Sequence, residues 1–454
     1  MTNEPKLRIA VIGGGIGGLT LAVSLHKLCG SRVEVDIYEA AQTFTEIGAG
    51  IGLWPRVWEI METLGLSADL AAISSSDAGD AGQSIEIRKS DYTVDGGSPS
   101  EVPRGAYSQI GGVRPFHRAR FQAVLAAHFP ADPSYTAHFH KRLASYTVPS
   151  AGSAPIELTF TDGSQAVCDL VVGCDGIKSV VRGVLYRDRT LAYPADSEPV
   201  WSGTVAYRSL IPRAVLEKVN PEHPCLSQVV LFCGQNKHMT GFPMAQGTLI
   251  NIVGLVSQPE REGTKYDGAW VKEVPKLELL DAYAGWEPMM TQLLNCAEKV
   301  TLWAINTIPH LPTYVGERVA LVGDAAHAMT PHQASGAGQA IEDGFVLASL
   351  LADPRATRET LPHVLQAYDA IRRPFSQDIV QRSRTSGMLY DFLLSPSEAG
   401  GDAVGVAGDS AADDLARRSA LAQQLMLWTN QTSIMGDRDR ALQALDAALT
   451  VEST

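Results

Sequence analysis

The segment from Arg318 to Gly344 places a carboxylate and a cluster of backbone amides about a dozen residues apart. An apolar run, Val319–Val322, predicts a buried strand that ends just before Asp324. A glycine-rich turn follows and leads into a pattern typical of a helix that begins near Gln339. Free amides at a helix start bind anions, and a carboxylate at a strand end can bind sugar hydroxyls, so the segment suits a cofactor with a polyol and negative charge. The amides belong to Gly336, Ala337 and Gly338.

A second glycine-rich turn lies between two apolar runs near the N-terminus. The runs Leu7–Ile12 and Val33–Tyr38 predict buried strands, and apolar residues at helical spacing lie between them. Glu39 follows the second run, at the distance where an acid meets the ribose hydroxyls of an adenosine. This context predicts a dinucleotide-binding unit, because glycines in the turn let the backbone approach a pyrophosphate. The glycines that match the GxGxxG pattern are Gly13, Gly15 and Gly18.

The composition is that of a globular protein large enough for two domains. The chain has 454 residues, of which 45% are hydrophobic and 19% charged, and its formal net charge is −13. This acidic balance argues against nucleic-acid or anionic-membrane partners, and no apolar run approaches the roughly 20 residues that span a bilayer. The six cysteines include no CxxC pair, so we expect buried thiols and a cytoplasmic location, and we assign no metal site.

The middle of the chain changes in character. Residues 191–299 contain strand-like segments separated by Pro and Gly turns, which predicts a mostly antiparallel sheet. Residues 74–103 contain a further strand-like run and are predicted to belong to the same lobe. The strand-like Val300–Ile308 is predicted to return to the nucleotide-binding domain. After Pro374 we predict a long helix, Phe375–Leu394, followed by a Gly/Ser-rich loop and two C-terminal helices.

A third motif, GCDGIKSVVR, begins at Gly173 and carries Asp175 at the end of another predicted strand. Taken in order, the GGGIGG turn, this motif and the PHQASGAGQAIEDG segment resemble the single-component FAD-dependent aromatic hydroxylases of the p-hydroxybenzoate hydroxylase type. The resemblance covers about residues 7–390. Within that group, GTVAYRSLIP (Gly203–Pro212) and KHMTGFPM (Lys237–Met244) are similar to the salicylate hydroxylases. The resemblance therefore implies both a fold and a reaction.

The implied fold is α/β: a Rossmann-like FAD-binding domain, an inserted antiparallel-sheet substrate domain and a C-terminal helical segment. We assign residues 1–73, 104–190 and 300–385 to the FAD-binding domain, 74–103 and 191–299 to the substrate-binding domain, and 386–454 to the C-terminal helices. The amides at the start of the predicted helix would face the flavin N1/O2 edge and stabilise the negative charge of reduced flavin. The implied FAD-binding residues are Gly13, Gly15, Gly18, Glu39, Arg118, Asp175, Asp324, Gly336, Ala337 and Gly338.

The implied reaction is hydroxylation of a small phenolic acid by O2, with NADH or NADPH as co-substrate, through a flavin C4a-hydroperoxide. The two salicylate hydroxylase-like segments favour conversion of salicylate to catechol with loss of CO2. The alternatives are hydroxylation or oxidative decarboxylation of another hydroxybenzoate such as 4-hydroxybenzoate, and a tailoring monooxygenase or epoxidase that acts on a larger metabolite. A non-catalytic flavin sensor is the alternative outside enzymes. We expect a monomer or a homodimer.

Histidine suits removal of a phenolic proton, because its pKa lies near neutral pH. The catalytic candidates are His238, on a predicted strand where the resembling proteins place a pocket histidine, and His332, with the adjoining Pro331 in the flavin loop. We interpret His327 as structural. The residue that binds the substrate carboxylate stays open, with arginine the most natural bidentate partner. The candidates for that role are Arg208, Gln235 and His238.

Two positions depart from the pattern of the resembling group. Arg56-Val57 stands where the group usually has Asn-Ala, and Phe242 stands where relatives often carry a tyrosine before proline. The second change removes a phenolic hydroxyl contact. Both changes bear on the identity of the substrate more than on the type of reaction.

Overall fold

The computed structural model describes residues 6–44, 50–74, 84–91, 103–108, 112–149, 154–187, 197–398 and 410–452. Most of the segment 74–103 that was assigned to the substrate domain lies outside these residues, as does the loop 399–409. The strands are β1 (Leu7–Ile12), β2 (Val33–Tyr38), β3 (Gly50–Leu53), β4 (Ser84–Lys89), β5 (Arg104–Ser108), β6 (Arg114–His117), β7 (Tyr135–His138), β8 (Leu143–Thr147), β9 (Ile156–Phe160), β10 (Gln165–Cys168), β11 (Leu170–Gly173), β12 (Val200–Pro212), β13 (Val229–Gly234), β14 (Lys237–Met244), β15 (Leu249–Ser257), β16 (Val271–Val274), β17 (Val300–Thr307) and β18 (Val319–Leu321). The helices are α1 (Ile16–Cys29), α2 (Pro55–Leu64), α3 (Ser67–Ile73), α4 (Arg118–Ala127), α5 (Val180–Arg187), α6 (Arg213–Val219), α7 (Lys276–Ala282), α8 (Pro288–Asn295), α9 (Asp324–His327), α10 (Gly336–Leu351), α11 (Leu361–Tyr390), α12 (Ala411–Leu425), α13 (Trp428–Gln431) and α14 (Ile434–Glu452).

A five-stranded parallel sheet has the strand order β18-β11-β1-β2-β7. Its central strands are apolar along almost their whole length because they are buried on both faces. Helices α1 and α10 pack closely, and a Cβ at Gly344 of α10 would lie 3.2 Å from the amide nitrogen of Leu21 in α1. Since the strands are parallel, the turns after β1 and β18 lie at the same edge of the sheet.

An eight-stranded sheet with the order β16-β17-β12-β15-β14-β13-β4-β5 forms the second layer of the molecule. Its pairs are antiparallel except for β4 and β13, which run parallel. One face of this sheet packs into an apolar core with α6, α7 and α8. Residues Tyr207, Phe232, Met239 and Ile252 of the sheet meet Leu216, Leu279 and Leu293 of the helices in this core.

The predicted fold class is confirmed: the molecule is α/β, with a largely antiparallel sheet inserted into the chain and helices at the C-terminal end. The domain boundaries remain predictions, with two exceptions. Strand β5 (Arg104–Ser108) pairs with β4 at the edge of the eight-stranded sheet, so its assignment to the FAD-binding domain is wrong. Strand β17 pairs with β12 and β16 in the eight-stranded sheet, so the prediction that Val300–Ile308 returns to the nucleotide-binding domain is wrong. Among the described helices, none combines the length and the apolar character that a membrane span requires.

Two helix boundaries also differ from the sequence expectations. Helix α11 continues through Pro374 instead of beginning after it. The buried ion pairs of Arg372, two residues earlier, hold the helix in place across the proline, so tertiary contacts outweigh the local cost of the missing N–H. Helix α10 begins at Gly336, three residues before the predicted start near Gln339. The C-terminal region forms three helices, α12 to α14, where two were expected.

Buried ion pairs join four helices that are distant in sequence. Arg372 of α11 pairs with Glu342 and with Asp343 of α10, each at 2.8 Å, and all three side chains are fully buried. Arg56 of α2 pairs with the same Glu342 at 3.0 Å and also with Asp437 of α14. A charge left without its partner in such a place is costly, because the surroundings cannot solvate it. Arg56, which departs from the pattern of the resembling group, thus ties the last helix to α2 and α10.

The variant Asp437→Ala is expected to lower the free energy of unfolding by about 3 kcal/mol, because it leaves the buried guanidinium of Arg56 partly uncompensated. Asp439→Ala, two residues along the same helix and with its side chain 55% exposed, is the matched control and should stay within about 0.5 kcal/mol of the wild type. Urea titration of both proteins measures the difference. Equal losses in the two variants would contradict the role given to the buried pair.

Candidate active site

A cavity of about 500 Å³ lies between the eight-stranded sheet and the turns at the edge of the parallel sheet. The turn after β1 contributes Gly15–Gly17, and the turn after β18 contributes Val322–Asp324. The segment Met329–Ala337, which leads into α10, forms a further wall. The cavity therefore adjoins both glycine-rich turns that the sequence singles out.

Alternate residues of five neighbouring strands face this cavity. The side chains at the intervening positions, such as Tyr207, Met239 and Ile252, lie in the core on the opposite face of the sheet. This period of two is what an extended strand dictates, so the cavity wall is held by the backbone of a packed sheet. The cavity-facing residues are Val229 and Leu231 of β13, His238, Thr240 and Phe242 of β14, Asn251, Val253 and Leu255 of β15, Ala206 and Arg208 of β12, and Trp303 and Ile305 of β17.

His238 lies on β14 in the cavity wall and is 2% exposed. Its Nδ1 is 2.6 Å from Oδ1 of Asp391, the residue that follows α11. Its Nε2 has no hydrogen-bond partner among the residues that the structure describes. The centroid of the His238 ring lies 5.1 Å from that of His332 and 5.4 Å from that of Tyr390. The fold thus brings the two predicted catalytic histidines together from elements almost a hundred residues apart.

His332 packs against the backbone of α11 at Gly387. A Cβ at Gly387 would lie 2.3 to 2.7 Å from three atoms of the His332 ring, so only glycine leaves room for the imidazole. Burial, helped by the neighbouring His238 and Arg384, lowers the pKa of His332 well below its usual value. The ring is therefore neutral at neutral pH and can share a hydrogen bond with a neutral or anionic ligand. Pro331 is exposed beside it and lines the cavity.

The first turn of α10 presents the predicted amide cluster. The first three residues of the helix are Gly336, Ala337 and Gly338, whose N–H groups have no partner within the helix. The first intrahelical bond runs from the N–H of Gln339 to the carbonyl oxygen of Ser335, at 2.9 Å. Gly336 and Ala337 line the cavity, whereas Gly338 packs against α2. The earlier start of the helix turns the three predicted residues into its free donors.

Asp324 is the first residue of α9, directly after Gly323, whose φ is 64°. Its side chain is exposed to the cavity, and no described residue forms a hydrogen bond with its carboxylate. The buried Asp343 holds the turn in place. Its Oδ2 accepts the N–H of Gly323 at 2.9 Å and lies 2.6 Å from Nε2 of His327. Asp324 is therefore placed to accept hydroxyl groups of a polyol such as the ribityl chain of FAD.

The N-terminal turn is too tight for any residue but glycine. Gly13 has a φ of 106°, and a Cβ at Gly18 would lie 2.1 Å from the carbonyl oxygen of Gly13. The carboxylate of Glu39 accepts the N–H groups of Gly14 and Ala41, both at 2.7 Å. These bonds hold the acid beside the turn and leave lone pairs for a ribose hydroxyl. The turn offers the close backbone approach that the pyrophosphate of FAD requires, so the residues present fit the cofactor.

Two further predicted FAD-binding residues are placed differently. Arg118 is the first residue of α4 and lines the cavity. The carboxylate of Asp175 accepts the hydroxyl of Ser179 at 2.5 Å and the N–H groups at the start of α5. Burial raises the pKa of Asp175 in spite of these hydrogen bonds. The Asp175 carboxylate thus serves α5 instead of facing the cavity, while the backbone at Gly176 lines it.

Arg208 is the predicted carboxylate partner that has the right position. It lies half-buried on β12 and faces the cavity, with its guanidinium carbon 5.3 Å from the ring centroid of Trp303. Burial and the proximity of Arg118 lower its pKa, and no described carboxylate pairs with it. A guanidinium in this state is stabilised by an incoming anion. Gln235, by contrast, is exposed in the turn between β13 and β14 and lies outside the cavity wall.

Sequence reasoning missed three residues of this site. Asp391 could have been noticed, because an acid at the C-terminal end of a long helix opposes the helix dipole. Asn251 is 3% exposed, and its Nδ2 has no partner among the described residues. Its signal is a polar residue inside the apolar run LINIVGLVS. No local signal marks Gly387, because its requirement comes from a histidine 55 residues earlier in the chain.

Comparisons with known proteins agree with this geometry. A family model described as FAD binding domain matches residues 6–383. A salicylate hydroxylase of Pseudomonas putida is 35% identical over 401 residues, which are 86% of this chain and 87% of the relative. The 6-methylsalicylate 1-monooxygenase atA of Aspergillus terreus is 34% identical over 398 residues, 86% of this chain and 85% of the relative. A solved salicylate hydroxylase substrate complex matches with a TM-score of 0.78 and 30% identity, over 96% of this chain and 98% of that chain.

Replacement of Asp324 should weaken the binding of FAD. Loss of hydrogen bonds to a charged carboxylate costs about 1.5 to 3 kcal/mol, so Asp324→Ala should raise the Kd for FAD by roughly 10- to 150-fold. Flavin content after purification and titration of the stripped protein with FAD measure the change. Asp267→Ala, whose side chain is 94% exposed, is the control and should bind FAD as the wild type does. A fully loaded Asp324→Ala protein with unchanged affinity would show that the ribityl contact is misplaced.

Replacement of Gly387 should disturb His332 without touching the cavity directly. Gly387→Ala forces a methyl group into the ring, an overpacking that costs about 1 to 3 kcal/mol and displaces the imidazole. The amount of hydroxylated product formed per NAD(P)H consumed should fall while FAD remains bound. Gly183→Ala in α5, where no atom lies within 4 Å of the added methyl, is the matched control and should keep wild-type coupling. An unchanged yield of hydroxylated product per NAD(P)H in Gly387→Ala would show that the position of His332 does not matter for hydroxylation.

Proposed function

This chain belongs to the FAD binding domain family, and we propose that it hydroxylates a small phenolic acid, with salicylate as the substrate and catechol as the product. It is a flavin-dependent aromatic monooxygenase, and FAD is its cofactor. The observation that carries the choice of substrate is the cavity itself. Two histidines whose ring centroids lie 5.1 Å apart and a guanidinium without a described carboxylate partner line the same cavity as the free amides of α10.

The proposed reaction balances with one oxygen atom in the product and one in water. Salicylate, O2, NADH or NADPH and two protons give catechol, CO2, water and the oxidised nicotinamide. A carbon–oxygen bond forms at the ring carbon that carries the carboxylate, the bond to the carboxylate breaks, and its electron pair restores the aromatic ring. Bound FAD supplies the transfer of reducing equivalents from the nicotinamide to O2 and of one oxygen atom to the ring.

The side chains of this chain bind and activate the phenol. Arg208 pairs with the substrate carboxylate, for which its planar guanidinium is suited. His238 accepts the phenolic proton at Nε2, which makes the ring a better nucleophile. The amides of the first turn of α10 stabilise negative charge at the cofactor edge of the cavity. The apolar residues of the sheet exclude water from the reacting atoms.

Asn251 and Phe242 adapt this wall to the substrate. A Cβ at Gly50 would lie 3.7 Å from Cζ of Phe242 and 3.9 Å from Nδ2 of Asn251, so the two side chains meet at one corner of the cavity. Phe242 brings no hydroxyl to that corner, where relatives often carry tyrosine. The Nδ2 of Asn251 is buried at that corner without a partner among the described residues, and we assign it a hydrogen bond to an oxygen of the substrate.

A ring-substituted salicylate is the second candidate, favoured by the apolar side of the cavity. Ile85, Val229, Leu231 and Met426 line it away from Arg208 and offer room for an alkyl group. The relative from Aspergillus terreus is named for 6-methylsalicylate. Comparison of kcat/KM for salicylate and 6-methylsalicylate decides between the two candidates.

The test is incubation of the purified, FAD-loaded protein with O2, NADH or NADPH, and one of a panel of hydroxybenzoates. Salicylate should stimulate consumption of the nicotinamide and give catechol and CO2 in equal amounts. Stimulation by 4-hydroxybenzoate alone, or by no hydroxybenzoate at all, would overturn the proposed substrate.

The variant Arg208→Met tests the role of Arg208 in substrate binding. It should raise the KM for salicylate at least 30-fold, since truncation of one partner of a buried charge pair costs about 2 kcal/mol or more. Arg213→Met, on the neighbouring α6 and paired with Glu217, should leave KM unchanged. An unchanged KM in Arg208→Met would assign the carboxylate to another residue.

A further inference from the structure

We propose that Asp391 is a positioning residue for the proton acceptor of the reaction. It holds His238 in the tautomer with hydrogen on Nδ1 and leaves Nε2 free to take the phenolic proton. This inference rests on the proposed function, because it assigns the partner of His238 in that reaction. It also extends the site to the end of α11, a region that no sequence motif marks.

The hydrogen bonds of Asp391 determine the tautomer. Its Oδ1 lies 2.6 Å from Nδ1 of His238, and its Oδ2 accepts the hydroxyl of Ser257 at 2.6 Å. An ionised carboxylate only accepts hydrogen bonds, so the proton between Asp391 and His238 is held on Nδ1. The hydroxyl of Ser257 is itself 3.0 Å from that of Thr204, which fixes its orientation. The remaining nitrogen of the ring, Nε2, then carries a lone pair at the cavity wall.

The carboxylate of Asp391 lies at a position that is unfavourable for negative charge. Asp391 follows the last residue of α11, where the helix dipole disfavours negative charge, and it is fully buried. Its carbonyl oxygen accepts the N–H of Asn236 at 2.8 Å, so the end of α11 is joined to the turn between β13 and β14. No described lysine or arginine pairs with the carboxylate. Among the described residues, the side chains of His238 and Ser257 supply the hydrogen bonds that offset the cost of its burial.

The other groups that face His238 fit a ring fixed for proton transfer. The hydroxyl of Tyr283 donates to the carbonyl oxygen of His238 at 3.0 Å and holds the strand, not the imidazole. Cys233 is the cross-strand partner of His238 in the register of β13 and β14, and burial raises its pKa well above the usual value, so the thiol stays neutral. The rings of His332 and Tyr390 pack against the imidazole, with centroids 5.1 and 5.4 Å from that of His238. Asp391 is thus the ionic partner of the ring.

The proposed proton transfer runs from the phenol to Nε2 of His238. The phenolic O–H bond breaks, its electron pair stays on the phenolate oxygen, and an N–H bond forms at Nε2 of His238. The imidazolium that results is stabilised by the adjacent carboxylate of Asp391, as a general base requires of its orienting acid. Removal of that carboxylate should slow formation of the phenolate without removing the imidazole.

The test uses Asp391→Asn in the FAD-loaded protein, with His238→Ala as the benchmark for complete loss of the base. The rate of catechol formation should fall by about 10²- to 10⁴-fold with little change in the KM for salicylate. A nitro-substituted salicylate reports the same step by its absorbance, since its phenolate absorbs at longer wavelength than the phenol. It should bind to the wild type as the phenolate and to Asp391→Asn as the phenol.

A series of ring-substituted salicylates of rising phenol acidity separates positioning from mere structure. The ratio of wild-type to Asp391→Asn rates should shrink along the series, because an acidic phenol needs the base less. Asp169→Asn is the control, since Asp169 is also buried but lies outside the cavity wall, where it pairs with Arg8 and not with a histidine. Its rate ratio should stay constant. A constant ratio for Asp391→Asn, or full phenolate formation in that variant, would overturn the proposal.

The tautomer of His238 can be read in the wild type without any substrate. In ¹⁵N NMR spectra of histidine-labelled protein, assigned with His238→Gln, Nδ1 of His238 should be protonated and Nε2 should not. The reverse tautomer would overturn the role of Asp391 even if the variant fails to fold. A wild type that makes no catechol from salicylate would overturn the proposed function alone, since this measurement does not depend on the substrate.

Discussion

The two buried acids at positions 342 and 343 of α10 are the constraint on which the cofactor side of the molecule depends. Asp343 accepts hydrogen bonds from Arg372, from His327 and from the N–H of Gly323. Although burial alone would raise it, His327 and Arg372 hold the pKa of Asp343 below its usual range. One ionised carboxylate therefore fixes α10, whose first turn offers free amides, to the turn that carries Asp324. The contacts of that side chain hold those amides and Asp324 at a fixed spacing.

Glu342 extends the same constraint to the C-terminal helices. It accepts from Arg372 and from Arg56, and Arg56 in turn pairs with Asp437 of α14. Such pairs are not favourable merely because they exist, since each charge has lost its hydration. They do require every partner to be present, which makes the arrangement of α2, α10, α11 and α14 specific. Because Met426 lines the cavity shortly before α14 begins, the C-terminal helices belong to the site and not only to its surroundings.

Local patterns were sufficient for the cofactor side of the site and insufficient for the substrate side. The turn with Gly13 and Gly18 and the donors at Gly336–Gly338 follow from glycine spacing beside strands and helices, so the sequence predicts them. The substrate side depends on pairing. The contact of His238 with Asp391 joins residues 153 apart, and no periodicity of either segment encodes it. The errors have the same origin: β17 joins the larger sheet because of its partners β12 and β16, and α11 passes Pro374 because of ion pairs made elsewhere.

The charge of the cavity, and not that of the whole chain, decides which ligands are favoured. The formal net charge of −13 would by itself repel an anionic phenol. Surface charges are screened over about 8 Å at physiological ionic strength, whereas half-buried charges are screened much less. Among the described residues that line the cavity, Arg118 and Arg208 carry positive charge and Asp324 is the acid. The net charge of the described cavity lining is therefore positive. A ligand carboxylate can pair with the guanidinium of Arg208. A neutral aromatic ring could not, and would leave the burial cost of Arg208 without compensation.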